Sequence, residues 1–492
     1  MSKMRCNMIR VVSLIAAALL APSFALAESE LELSDCLISA GPAFYTHKAR
    51  CGTFLRPENP DDPDSPMIEL SVAVVPALNL NPEPDPVVPI AGGPGQGSIE
   101  FYSASANAFE VLRRDRDILI VDQRGTGESS RLTCDVDEDL LGGDYSDEQT
   151  REIAKTCVEQ LPHDPRYFTT SVAVRDLDAV REALGYPQLN LYGVSYGSRV
   201  AQHYARRFPD NTRSIIIDGV VPPQLPLGPD IAIEAQKALD NIIARCEQDD
   251  ACSNAFATLA DDFKAVQARL EDGPVIVRLQ NPSSGRLESV DFGMDQLAGA
   301  VRLLAYHQST IAILPLSINA AANDNFIPLA AQFQMTAGEL GESLAIGMHN
   351  AVMCTEDEPF YDQDKIDQEA LGNTYIGPIQ LQAISAICEV WPAGTLDDDL
   401  RQPLNTDIPV LLLSGDADPI TPPEYAIRAM VDLSNAAHLI GKDQGHGQAS
   451  VGCMPRIMAD FVESGDPQGL DTECMERSFA LPFFLDFSGP QP

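Results

Sequence analysis

Basic residues are scarce in this chain: 33 Lys and Arg stand against 72 Asp and Glu, a formal charge of −39 at pH 7. A surface of that sign repels nucleic acid and anionic lipid, so neither is expected as a partner. It could draw cationic peptides, but salt screens such a field, and no substrate follows from it. The cysteines never take the C-x-x-C spacing of zinc ribbons, and no metal site is expected. Beyond the N-terminal segment no apolar run approaches the length of a spanning helix, so no membrane association is expected of the mature chain. Internal repeats and low-complexity segments are also missing.

What the N-terminus does have is an export pattern. Residues 1–10 carry Lys3, Arg5 and Arg10 without an acid, residues 11–21 are apolar, and Ala25-Leu26-Ala27 offers a small-x-small cleavage site. That reads as a secretory signal peptide over residues 1–27, too short for a stable anchor, with the product periplasmic or extracellular. Removing Cys6 with it leaves ten cysteines, an even number. Pairing between neighbours is the simplest scheme: Cys36–Cys51, Cys134–Cys157, Cys246–Cys252, Cys354–Cys388 and Cys453–Cys474. Each bridge would close a short loop and contribute about 2–4 kcal/mol.

Chemistry concentrates at Gly193-Val194-Ser195-Tyr196-Gly197, between a strand-like run at Leu189-Asn190-Leu191-Tyr192 and a helix-like run over residues 198–208. G-x-S-x-G at a strand-to-helix turn is a nucleophile elbow, which lifts the serine hydroxyl above the sheet edge. Its partners must follow as acid, then histidine. Of seven histidines, His47 and His163 precede Ser195, and His203 lies on the helix leading away from it. His307 and His349 fall in a long helical stretch, and His438 sits inside a strand-like apolar run. His446 follows that run in a loop at the strand's C-terminal end, where an imidazole must stand.

The acid has two candidates, Asp416 and Asp418, in one strand-to-helix turn after Ile408-Pro409-Val410-Leu411-Leu412-Leu413. Thr421 with Glu424 is expected to form a capping box for the next helix. Upstream, the strand-like Val87-Val88-Pro89-Ile90 ends in Ala91-Gly92-Gly93-Pro94-Gly95-Gln96-Gly97, whose glycines let backbone N–H groups approach a developing alkoxide. A phosphate loop is excluded by the missing Lys and Ser/Thr. The expected oxyanion donors are the N–H groups of Gly93, with Gly92 next in line, and Tyr196. Asp122 and Arg124, in Asp122-Gln123-Arg124-Gly125, read as braces beneath the site.

In this order, G-G-P-G, D-Q-R-G-x-G-x-S, G-x-S-x-G, G-x-x-D-P-x-T-P and G-H-G resemble the α/β-hydrolase family of prolyl iminopeptidases. The secreted tripeptidyl aminopeptidase-like branch is the nearer match, over about residues 70–474. Ala351-Val352-Met353-Cys354-Thr355-Glu356 is similar to that branch's A-[IV]-x-C-x-[DE] segment, and Cys388-Glu389-Val390-Trp391-Pro392 to its C-x-x-W-P segment. The resemblance implies a mostly parallel central sheet with helices on both faces, and it selects Asp418 over Asp416 as the acid. Ala91 departs from the histidine that prolyl iminopeptidases carry before G-G-P-G, which puts only the support of the oxyanion loop in question.

Strand and helix patterns alternate from Ile68 through Ser214-Ile215-Ile216-Ile217, then Pro222-Pro223-Gln224-Leu225-Pro226 breaks the chain. Helical periodicity dominates afterwards, as in residues 233–245, 256–270 and 295–306. The expected organisation is a core over 28–221, a helical cap over 222–405 inserted between the sixth and seventh strands, and core again over 406–492 as the TAP-like C-terminal region. Glu356 is the candidate carboxylate for a substrate ammonium. The expected activity is that of an exported serine hydrolase, an aminopeptidase acting through Ser195, His446 and Asp418 and an acyl-enzyme. The alternative is a carboxylesterase or lipase, since the same triad cleaves esters. The substrate is then a peptide or small ester, and no metal or organic cofactor is required.

Overall fold

The structure is a computed structural model that describes residues 31–40, 46–134, 145–282 and 284–490; the signal-peptide segment 1–27 lies outside them. Its centre is a nine-stranded sheet in the order β1-β2-β3-β5-β4-β6-β7-β10-β11. In chain order these are β1 (Ser34–Ser39), β2 (Thr46–Pro57), β3 (Met67–Val75), β4 (Glu83–Ile90), β5 (Arg116–Val121), β6 (Leu189–Val194), β7 (Thr212–Asp218), β10 (Val410–Gly415) and β11 (Ala436–Gly441), with β8 (Val275–Gln280) and β9 (Leu287–Phe292) forming a separate hairpin. The pairs β1/β2, β2/β3 and β3/β5 are antiparallel. All pairs from β5 through β4, β6, β7 and β10 to β11 are parallel.

Parallel strands covered on both faces must be apolar at nearly every position. β10 shows this: Val410 and Leu412 enter one core while Leu411 and Leu413 enter the other. The first core packs against α3 (Thr170–Ala183) and α4 (Tyr196–Arg207), and the second against α1 (Ser98–Phe109) and the helix Met454–Ser464. The chain therefore has the doubly covered, mostly parallel sheet of the α/β-hydrolase fold. In a sheet of this kind, loops at the C-terminal ends of the strands gather the site.

Two details depart from the sequence reading. Residues before Ile68, where the sequence pattern marks no strand, supply β1 and β2, so the insertion falls between the seventh and eighth sheet strands in chain order. Those two strands form an exposed edge with few buried side chains, which leaves little apolar pattern to read. The insertion is also not wholly helical, because β8 and β9 pair antiparallel within it. Its helices include Ile231–Gln248, Leu259–Glu271 and Met294–Leu304, and they bury a core of their own with Leu239, Phe263, Leu297 and Leu329. The C-terminal segment returns to that core: Phe483 is buried in it, and Phe484 N–H donates to Ala312 O at 2.9 Å. All five cysteine pairs are bridged between sequence neighbours.

Candidate active site

Ser195 sits between β6 and α4 at φ 55° and ψ −126°, in the left-handed half of backbone space that side chains avoid. Its flanking glycines make the turn possible. A Cβ on Gly193 would stand 2.2 Å from Gly197 O, and one on Gly197 would stand 2.3 Å from Ile90 O. Ser195 N–H donates to Asp218 O at 2.8 Å, and the next residue, Gly219, lies against the imidazole of His446. A Cβ on Gly219 would meet His446 Cε1 at 2.8 Å. Serine and histidine thus each touch one of the two consecutive residues Asp218 and Gly219 at the end of β7. No hydrogen bond joins Ser195 Oγ to His446, a contact that in serine hydrolases often tightens only with substrate.

His446 Nδ1 pairs with Asp418 Oδ2 at 2.8 Å. Asp418 is buried, and its Oδ1 accepts the Ile420 and Thr421 N–H groups, both at 2.9 Å. Burial alone would raise the Asp418 pKa, but the His446 charge and these hydrogen bonds hold it below the usual carboxylate value. Burial alone would likewise depress His446, yet the charge and hydrogen bond of Asp418 keep it above 6.5. Asp416 is exposed and makes no contact with the imidazole. Thr421 does not form the expected capping box. Its hydroxyl instead donates to Asp418 Oδ2 at 2.8 Å and lies 3.1 Å from His446 Nδ1, and the helix starts only at Pro423.

The His446 loop is pinned from both sides. His446 N–H donates to Tyr306 O at 2.8 Å, and the Tyr306 ring meets the imidazole edge-on at 5.3 Å between centroids. Downstream, Gln448 and Ala449 N–H groups donate to the fully buried Asp218 carboxylate. His203 pairs with Asp397, and His438 with Ser414.

Gly92 packs against the serine, and Gly93 follows it in the turn. A Cβ on Gly92 would come within 3.0 Å of Ser195 Cβ, and Gly93 has φ 107°. The N–H groups of Gly93 and Tyr196 donate to no other described group. The loop is fastened to the insertion, since Ala345 N–H donates to Gly95 O at 2.9 Å and Gln96 bridges Leu344. Asp122 braces it as expected: its carboxylate accepts the Ile99 and Glu128 N–H groups, closing the start of α1. Arg124 is buried in a two-bond ion pair with Asp176.

Glu356 is not where the sequence reading put it. It lies fully buried behind α4, where Oε1 accepts the Thr170 N–H at 2.7 Å and Oε2 accepts the Thr170 hydroxyl at 2.8 Å. Arg199 stands 4.0 Å away, and burial pushes the Glu356 pKa up to about 7. A carboxylate with both oxygens occupied and no exposed surface offers nothing to a substrate ammonium.

An elbow serine, a carboxylate-bound histidine and a glycine-rich turn with unspent N–H groups, on this sheet, define a serine hydrolase. The chain has the α/β-hydrolase fold: the family model for that fold matches residues 85–253, and the model for TAP-like proteins matches residues 373–474. It is 27% identical over 451 residues to the serine protease Hip1 of Mycobacterium tuberculosis, with 82% of each chain covered. It is 24% identical over 434 residues to the tripeptidyl aminopeptidase of Streptomyces lividans, covering 80% of this chain and 77% of that one. Carboxylesterase B of M. tuberculosis is 32% identical over 233 residues, covering 42% of this chain and 43% of that one.

Proposed function

We propose that this chain is a serine peptidase that removes residues or short peptides from peptide N-termini. The observation that carries the reading is Ser195 on its strained turn, tied to Asp218, with the Asp418-bound imidazole against the adjoining Gly219, in a chain that aligns with peptidase relatives across both its core and its insertion. His446 Nε2 takes the hydroxyl proton as Ser195 Oγ attacks the scissile carbonyl, and Asp418 holds the tautomer and balances the imidazolium. The Gly93 and Tyr196 N–H groups receive the oxyanion. The imidazolium returns its proton to the leaving amine, and water, deprotonated by His446, then hydrolyses the acyl-enzyme.

The residues 222–405 form the cap in this reading, and the site is roofed by its segments around Tyr306 and Leu344. Export fits the five disulfides and the basic, apolar, small-residue pattern of residues 1–27. Among the described residues no helix is long and apolar enough to cross a membrane.

Ester hydrolysis is the second reading, favoured by the partial match to carboxylesterase B. Rates on free and N-acetylated peptide arylamides, measured beside short-chain esters, separate the two. The peptidase reading expects free peptides to be preferred; a preference for blocked peptides or esters contradicts it.

A further inference from the structure

Tyr196 supplies one of the two oxyanion N–H groups in the reading above, and its side chain is anchored well away from that N–H. The phenol is buried, and its oxygen accepts the Gln123 Nε2–H at 3.0 Å and lies 2.6 Å from Thr170 Oγ1. With Glu356 ionised, the one proton of the Thr170 hydroxyl goes to Glu356 Oε2. The Tyr196 hydroxyl is therefore the donor to Thr170. The bonds run one way, from Gln123 to Tyr196 to Thr170 to Glu356, and end on a carboxylate that also accepts the Thr170 N–H.

We propose that Glu356 is a positioning residue which, through Thr170, fixes the Tyr196 side chain and so aims the Tyr196 N–H at the oxyanion. The inference rests on the assignment of Tyr196 as an oxyanion donor. Ionised, Glu356 only accepts, so every donor upstream keeps a single orientation; with its pKa raised to about 7 by burial, that form prevails above neutral pH. An amide at this position would offer one acceptor where two are needed, and a buried donor would lose its partner.

The element that carries Glu356 is itself tied down. The turn Met353–Asp357 is bridged through Cys354–Cys388, and Thr355 Oγ1 accepts the Gly394 N–H at 2.9 Å. Asp357 makes two hydrogen bonds to Arg199, at 2.9 and 2.8 Å, and Arg401 donates to the Glu356 carbonyl at 2.9 Å. The insertion thereby reaches behind the elbow helix and sets the geometry of the reacting centre without touching substrate.

The test uses an N-acetylated nitrophenyl ester, which has no ammonium, and the variants Thr170→Val, Thr170→Ser and Glu356→Gln in the full chain. Removing the Thr170 hydroxyl should lower kcat about 10- to 100-fold with KM nearly unchanged, a fraction of what loss of an oxyanion donor costs. Glu356→Gln should act in the same direction, and Thr170→Ser, which keeps the hydroxyl, should restore turnover. If Glu356→Gln does not fold, as judged by circular dichroism, the two Thr170 variants carry the test. An unchanged kcat in Thr170→Val overturns the proposal. So does a Glu356→Gln variant that raises KM only for substrates with a free amino terminus, because Glu356 would then be binding substrate. The assignment of Ser195 is checked separately: turnover retained in Ser195→Ala would refute the serine mechanism itself, whatever the Thr170 variants do.

Discussion

Gly193 and Gly197 show how tightly single positions are held. At either, an added Cβ would sit closer than 2.5 Å to a backbone oxygen, so relief requires the strand or the helix to move. Gly197→Ala should cost about 3 kcal/mol of stability, read by denaturant unfolding. The acid is testable with equal directness. In the proposed mechanism His446 acts as base when neutral, and Asp418 raises its pKa above 6.5, so kcat/KM should fall as pH drops through that raised value. In Asp418→Asn the larger of the raising charges is gone, leaving that of Asp218, while burial still depresses the imidazole. The acid limb should therefore move to lower pH, and kcat should fall by about 10⁴. Asp416→Asn, on an exposed side chain, should change kcat by no more than about threefold. The reverse ranking would make Asp416 the acid.

Among elements, legibility followed burial. β10 is apolar at Val410 through Leu413 because both faces are covered, and such runs stand out in sequence. Leu412→Ala should cost about 2–5 kcal/mol, whereas Ile276→Ala on the exposed face of β8 should stay within about 0.5 kcal/mol, both by thermal or denaturant unfolding. The hairpin of β8 and β9 escaped notice because its six-residue strands lie among helices of much stronger periodicity. β1 and β2 escaped because an edge with solvent on its side chains has little apolar pattern. The site was legible where its parts are local: the elbow, the glycine turn, and the Asp418 and His446 loops each follow a recognisable strand. Thr421 was visible as a residue but not as a partner of Asp418, since a capping box and a carboxylate contact use the same hydroxyl. The Glu356 contacts were beyond reach, because Thr170 lies 186 residues away and a buried network leaves no spacing to read.

At the scale of the whole molecule, the insertion is structural support. It holds the His446 loop through Tyr306 and Gln308, the glycine turn through Ala345, the start of α3 through Glu356, and the elbow helix through Asp357. The acidic surface acts at longer range. Raising ionic strength from 0.01 to 1 M shortens the screening length from about 30 to 3 Å, so kcat/KM for a cationic peptide should fall, and that for a neutral one should stay level. All of this rests on Ser195 being the nucleophile. A fluorophosphonate probe followed by peptide mapping tests it most directly. The prediction is a single adduct on Ser195 that disappears in Ser195→Ala; labelling that persists in that variant, or a wild-type chain that takes no label, would contradict it.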